Sequence, residues 1–335
     1  MLSIKEVARI TGLSTATVSR ALDPRYADKV KPETRKKIIE VCDSGNYRPG
    51  IAGRSFVTGK SYKVGFISGA AADDFGNLLQ GFFFQGLGFE LQRSGYNLLL
   101  LCAPDTDEKS DLVVDFLRSG VADAYIMGKS LLTEKVRQAL DECRVPVVCL
   151  SRSLGAENGI EIDVDIHPAY REIWKRIPED LLDKTLYCCR NREEKKFKIA
   201  SELSPPGFVL PFAELPTSCN FSEVRAHAAA AAASLIEKLL QYKIFWCSSD
   251  LMALGIKDVF ERRGLIAGKD YYLIGHDNIE ALSSYSGTPF LSTVDGAWEK
   301  EGICAAQMVL EALNGKKMQS LNFPLDYISR ESFPF

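Results

Sequence analysis

Seven consecutive residues near the N-terminus, Ser14-Thr15-Ala16-Thr17-Val18-Ser19-Arg20, gather short hydroxyl-bearing side chains and close on an arginine. Hydroxyls donate to phosphate oxygens, small side chains permit close approach, and a guanidinium bonds a guanine edge through two donors. That is the chemistry of a duplex reader. The charge distribution agrees: residues 1–60 carry twelve basic against six acidic side chains, a balance of +6, while the whole 335-residue chain has a net charge of −3. A positive module on an acidic body is the footprint of phosphate neutralisation. Catalytic sets are harder to find. His167, His227 and His276 are isolated, no G-x-S-x-G occurs, and no nucleophile and base fall into a coherent pattern. The nine cysteines lack C-x-x-C spacing, and the adjacent Cys188-Cys189 have no His or Cys ligands at zinc spacing. The expectation is therefore no catalytic residue, no metal, no cofactor, and reduced thiols in the cytoplasm.

The elements that would present those groups follow from capping and periodicity. Ser3 with Glu6 forms a capping box for a helix over 4–11, whose Ile4, Val7, Ala8 and Thr11 face inward. Gly12-Leu13 supplies a turn, and Ser14 caps a second helix over 15–22 with Val18, Ala21 and Leu22 inward. Thr15, Ala16, Thr17, Ser19 and Arg20 are left outside. A third helix starts at Pro32, and Ile38, Ile39 and Val41 close the core. Two short helices around a glycine turn make a helix-turn-helix, whose second member suits a major groove about 12 Å wide.

Ile4-Lys5-Glu6-Val7-Ala8, Gly12-Leu13-Ser14, Ala16-Thr17-Val18-Ser19-Arg20, Pro32-Glu33-Thr34-Arg35 and Tyr47-Arg48-Pro49 closely resemble the headpiece of lactose-repressor (LacI-type) transcription regulators. The resemblance implies that Thr15, Ala16 and Arg20 read base edges while Ser14, Thr17 and Ser19 hold phosphates. It implies a headpiece over 1–47 and a hinge segment over 48–60 that folds on DNA. Phe56 occupies the position of the minor-groove wedge and Arg54 lies just before it. Gly50 and Gly53 depart from the pattern, each costing a helix about 1 kcal/mol relative to alanine. Lys31 replaces the usual N-cap serine, and the loop over 23–31 is about two residues longer than the pattern. The segment from Gly53 to Ser61 imitates a phosphate loop, but five residues separate its glycines where four are required, and it precedes a strand instead of following one.

From Lys63 the pattern alternates strands and helices: a strand over 63–68, a helix over 78–93, a strand over 96–102, helices over 109–118 and 134–143, and strands over 124–127 and 145–150. Such βα repetition implies parallel sheets covered on both faces, with ligands at the carboxyl ends of strands. At 46% hydrophobic and 25% charged the chain is a folded globular protein, and its longest apolar runs fall far short of the ~20 residues of a membrane span. Phe82-Phe83-Phe84 with Phe89 reads as helix packing, and Ala228 to Ala233 as part of a helix beginning near Ser222.

The resemblance continues through Gly95-Tyr96, Val145-Pro146-Val147-Val148, Ser249-Asp250-Leu251-Met252-Ala253-Leu254-Gly255, Gly275-His276-Asp277-Asn278, Leu291-Ser292-Thr293-Val294 and Arg330-Glu331-Ser332. It implies an all-α helix-turn-helix headpiece plus a two-lobed α/β regulatory domain of the periplasmic-binding-protein type over 61–335. Lobe one is expected over 61–160 and 292–322, lobe two over 161–291 and 323–335. The implied effector contacts are Ser249 and Asp277, with Arg152 and Phe75 further candidates in loops after strands. A carboxylate, an arginine and an aromatic face suit a sugar. The family's effector-binding arginine has no clean counterpart, and Arg190 and Arg192 are both candidates for it. The implied function is a homodimeric regulator of double-stranded operator DNA, most simply a repressor, modulated by a small molecule. The rival is a sugar-binding protein or an enzyme on the same scaffold with a vestigial headpiece.

Overall fold

The computed structural model describes residues 2–23, 26, 29–47, 55, 58–68, 77–102, 109–128, 133–150, 160–215, 221–282, 287–317 and 319–335. Two compact units divide the chain, Met1–Tyr62 and Lys63–Phe335.

The first unit is built on α1 (Ile4–Thr11), α2 (Thr15–Leu22) and α3 (Pro32–Ser44). The capping box at α1 is present, with Ser3 and Glu6 bonding each other's backbone. Gly12 turns the chain at φ 74°, a conformation that costs glycine nothing. Val7, Ala8, Val18, Ala21, Ile38 and Cys42 form the core, with Val41 packed against it. Ile39 is a correction: it is 37% exposed, because the inward stripe of α3 runs through Ile38 and Cys42, four residues apart on one face. Two basic side chains of α3 finish the other helices. Lys37 Nζ donates to Thr11 O at 3.0 Å and Arg35 Nε donates to Ala21 O at 3.1 Å, so carbonyls at both helix ends are satisfied. Lys31 at the start of α3 makes no side-chain cap, as its replacement of a serine implies. Within the hinge segment, Gly59 N–H donates to Ser55 O at 2.8 Å, one helical turn. Arg54 and Phe56 lie outside the described residues.

The second unit runs β1 (Lys63–Ser68), α4 (Leu78–Arg93), β2 (Asn97–Cys102), α5 (Lys109–Arg118), β3 (Ala124–Met127), α6 (Glu134–Glu142), β4 (Val147–Leu150), β5 (Ile160–Asp165), α7 (His167–Arg176), β6 (Thr185–Cys189), α8 (Lys195–Glu202), β7 (Phe212–Glu214), α9 (Val224–Ser234), α10 (Ile236–Leu239), β8 (Ile244–Cys247), α11 (Asp250–Glu261), β9 (Tyr272–His276), α12 (Ile279–Leu282), β10 (Ser292–Val294), α13 (Trp298–Leu313), β11 (Leu321–Pro324) and β12 (Tyr327–Ile328). β4 begins after Pro146, which has no N–H to give a ladder. The strands form two six-stranded sheets, ordered β11-β5-β4-β3-β1-β2 and β12-β10-β9-β8-β6-β7. Among the described residues every pairing is parallel except β12 with β10. Each sheet with its helices is one lobe.

Strand pairing moves the expected lobe boundaries. Ile160–Asp165 pairs with β4 and β11 and belongs wholly to the first sheet, whereas Ser292–Val294 pairs with β9 in the second. Leu321–Pro324 is back in the first. All three crossings therefore fall a few residues later than expected, because each strand completes its ladder before leaving the sheet. The phenylalanine cluster packs as expected in part: Phe83 and Phe84 lie against Phe66 of β1 with ring centroids 5.6 and 4.9 Å away. Phe89 does not, being 60% exposed. In α9, Ala228 and Ala232 are buried in the second-lobe core beside α11. No helix among the described residues is long and apolar enough to cross a membrane.

Candidate functional site

The recognition face of the first unit is set by one cap. Ser14 is extended, with φ −73° and ψ 150°, and its Oγ accepts Thr17 N–H at 3.1 Å while lying 2.9 Å from Thr17 Oγ1. Val18 and Ala21 are fully buried, which pins the helix and turns Thr15, Ala16, Ser19 and Arg20 to solvent. Thr17 is half-buried, with its hydroxyl directed to Ser14. All six headpiece residues singled out in the sequence thus lie on or beside one short face. Its small side chains leave the helix axis free to approach a groove, and Arg20 stands at the end of that face.

The second unit holds a cavity of about 250 Å³ between its lobes. Asn77, Leu79 and Trp298 line it from the first lobe; Arg190, Glu194, Lys196, Ser249 and Asp277 are among its second-lobe walls. Helix starts converge there, since Asn77 caps α4, Glu194 precedes α8, Ser249 caps α11 and Trp298 opens α13. This is the strand-end, helix-start location where open α/β sheets bind ligands.

Ser249 Oγ accepts Met252 N–H at 3.2 Å, so the residue has a capping role as well as a place in the wall. Asp277 follows β9 with φ 113°, and Asn278 has φ 58°. Both are left-handed backbones that a non-glycine residue holds only under constraint. The constraint is visible: Asp277 N–H donates to Val294 O at 2.8 Å, and Arg330 donates to Asn278 Oδ1 at 2.5 Å and to Leu291 O at 2.7 Å. Asp277 Oδ1 lies 3.7 Å from Lys196 Nζ, which also donates to Ser248 O at 2.8 Å. Beneath them Asp250 is 1% exposed, and burial together with the Asp277 charge pushes its carboxyl up to about 7.

The two arginine candidates separate. Arg190 lines the cavity, whereas Arg192 reaches over the Phe212 ring at 5.8 Å. A cation that meets Asp277 is Lys196, which the sequence reading missed. Its signal was the start of α8, where a lysine in the second helical position points back over the preceding strand end. Trp298 was missed too, because its place depends on where the chain crosses back into the first lobe. Phe75 and Arg152 lie outside the described residues. A wider groove of about 500 Å³ runs along α9 and α11, lined by alanines of α9 together with Ser222, Arg225, Asp258 and Arg262. Its Arg225 and Asp258 are already bonded to each other at 2.8 and 2.7 Å.

Residues 3–50 match the model of the bacterial regulatory proteins of the lacI family, and residues 211–333 match a periplasmic binding protein-like domain. The chain thus carries a lacI-family helix-turn-helix domain followed by a periplasmic-binding-protein-like domain. A relative within this range is the HTH-type transcriptional repressor PurR of Vibrio atlanticus, 25% identical over 97% of this chain and 96% of the relative. The HTH-type transcriptional regulator AglR of Rhizobium meliloti is 27% identical over 83% of this chain and 78% of its own length. Among solved structures, the lac repressor dimer bound to operator and the anti-inducer ONPF matches with a TM-score of 0.70 at 16% identity, covering 99% of both chains. A complex of the transcriptional regulator CelR with cellobiose matches with a TM-score of 0.62 at 18% identity, covering 99% of this chain and 100% of that one. At such identity these two likenesses speak for the fold alone.

Proposed function

We propose that this LacI-family protein is a cytoplasmic, non-enzymatic repressor that grips operator DNA as a homodimer and changes its grip when a small sugar enters the cavity between the lobes. The observation that carries this reading is the pairing, in one chain, of an exposed hydroxyl-and-arginine helix face with a polar cavity between two lobes joined by three crossings. Two headpieces related by a dimer axis would meet a pseudo-palindromic operator. In the cavity, Asp277 accepts bonds from vicinal hydroxyls, Ser249 and Lys196 add polar contacts, and Trp298 offers an aromatic face. The volume lies just below the roughly 300–1,000 Å³ typical of drug-sized ligands, which suits a monosaccharide-sized molecule. The lac repressor's match includes a dimer on operator, and CelR's includes cellobiose; both name partners of the chemistry drawn here.

A ligand moves the lobes only through differential affinity for their two arrangements, typically about 1–3 kcal/mol of coupling. Selection of a preferred site from random duplexes, followed by gel shifts with a panel of mono- and disaccharides, tests both halves. Asp277→Ala should retain operator binding and lose sugar-induced release. Equal release in variant and parent would refute the role of the cavity, and absence of any preferred duplex would refute the regulator itself.

A further inference from the structure

The cavity reading leaves the buried Asp250 unused. Asp250 Oδ2 accepts Ile279 N–H at 2.7 Å, and its Oδ1 accepts the Thr293 hydroxyl at 2.6 Å. Gly275 is required by this carboxylate, since a Cβ there would sit 2.0 Å from Asp250 Oδ1. Thr293 Oγ1 also accepts Asn278 N–H at 3.3 Å, and Val294 O lies 3.3 Å from it as an alternative acceptor. One carboxyl group therefore touches the start of α11, the turn that bears Asp277, and β10. The chain of β10 then crosses to Trp298, on the opposite wall of the cavity.

We infer that Asp250 is a positioning residue for the cavity, and that its protonation reverses the Thr293 hydroxyl and so resets both cavity walls, the Asp277 turn and the β10 segment leading to Trp298. The proposal rests on the reading of this cavity as the effector site. In the ionised form both carboxylate oxygens accept, and the Thr293 hydroxyl is spent on Oδ1. On proton uptake the acid O–H donates to Thr293 Oγ1, and the threonine proton turns to Val294 O. Among the described residues, Cys247 on β8, Asp277 after β9 and Glu280 on α12 act on Asp250 electrostatically, while Lys196 on α8 pairs with Asp277 and Arg330 bonds Asn278 in the same turn. Desolvation and the charges of Asp277 and Glu280 hold the carboxyl near neutrality, whereas the Thr293 and Ile279 bonds favour the ionised form.

The test is 19F NMR of the ligand-free, full-length protein labelled with 5-fluorotryptophan, with the Trp298 resonance assigned by Trp298→Phe. Between about pH 5.5 and about pH 8.5 it should move with one midpoint near 7. Asp250→Asn should flatten that titration. Asp277→Asn should lower the midpoint, because a like charge has been removed. Thr293→Val, which removes the hydroxyl and keeps the branched shape, should leave Trp298 unresponsive. A titration that persists in Asp250→Asn or in Thr293→Val, a midpoint unmoved in Asp277→Asn, or a parent resonance that does not move would overturn the proposal. No ligand is added, so failure here tells against Asp250, whereas failure of sugars to release operator tells against the effector reading.

Discussion

The two functional regions are assembled in opposite ways. The recognition face of α2 comes from seven consecutive residues, positioned by a cap on its first member and two buried side chains on its inner face. The cavity collects Asn77, Arg190, Lys196, Ser249, Asp277 and Trp298 from five separate stretches of chain, and three crossings must land correctly before any two lobe walls face each other. A local site tolerates change in the surrounding fold, whereas a dispersed one inherits every error in strand register. The lesson is that the first should fail by loss of side-chain contacts, and the second by loss of backbone placement.

Arg20→Ala tests the local site most severely. A bidentate arginine is worth about 1–3 kcal/mol of base discrimination, and a dimer would lose two, so selective operator retention in a gel shift should disappear. Unaltered sequence preference would remove α2 as the reader. Gly275→Ala tests the dispersed site through the backbone. Its Cβ would collide with Asp250, so overpacking should cost about 1–3 kcal/mol in denaturant unfolding of the second unit without touching the headpiece. If it unfolds at the parent's midpoint, the close approach is not required. Ser14→Ala removes the α2 cap and should cost about 1 kcal/mol, read as earlier headpiece melting together with weaker DNA binding. Arg192→Ala sharpens the comparison from the other side: on the Phe212 ring and away from the cavity, it should change stability by no more than about 0.5 kcal/mol and leave sugar response intact. A sugar response lost with Arg192 would reassign the effector cation.

The headpiece was nearly complete in the sequence. The capping box at Ser3, the glycine turn and the Ser14 cap act between neighbours three or four residues apart, and they appear in the structure with those partners. Ile39 was misplaced, where adjacent isoleucines made the inward stripe ambiguous, and Thr17, expected outside, is half-buried. In the body, the strands and helices over 63–150 were legible from their periodicity. Lys196 was not, because its role depends on where α8 starts relative to the end of β6, within a charged run that has no glycine to mark the turn. Trp298 was hidden behind a crossing placed too early. Asp250 read as one letter of a motif, since nothing local reveals a carboxylate sealed between Gly275, Thr293 and Ile279.

By itself the amino-acid order determined that a basic three-helix reader precedes an acidic, alternating α/β body, because caps, turns and hydrophobic periods are contacts between near neighbours. Only the tertiary structure decided that Lys196 meets Asp277, that Arg190 and not Arg192 lines the cavity, and that Asp250 lies out of water beneath them. Those are distances between residues far apart in the chain. They are fixed by which strands pair and in which register, a choice made by the burial of whole sheets and not by any short stretch of sequence.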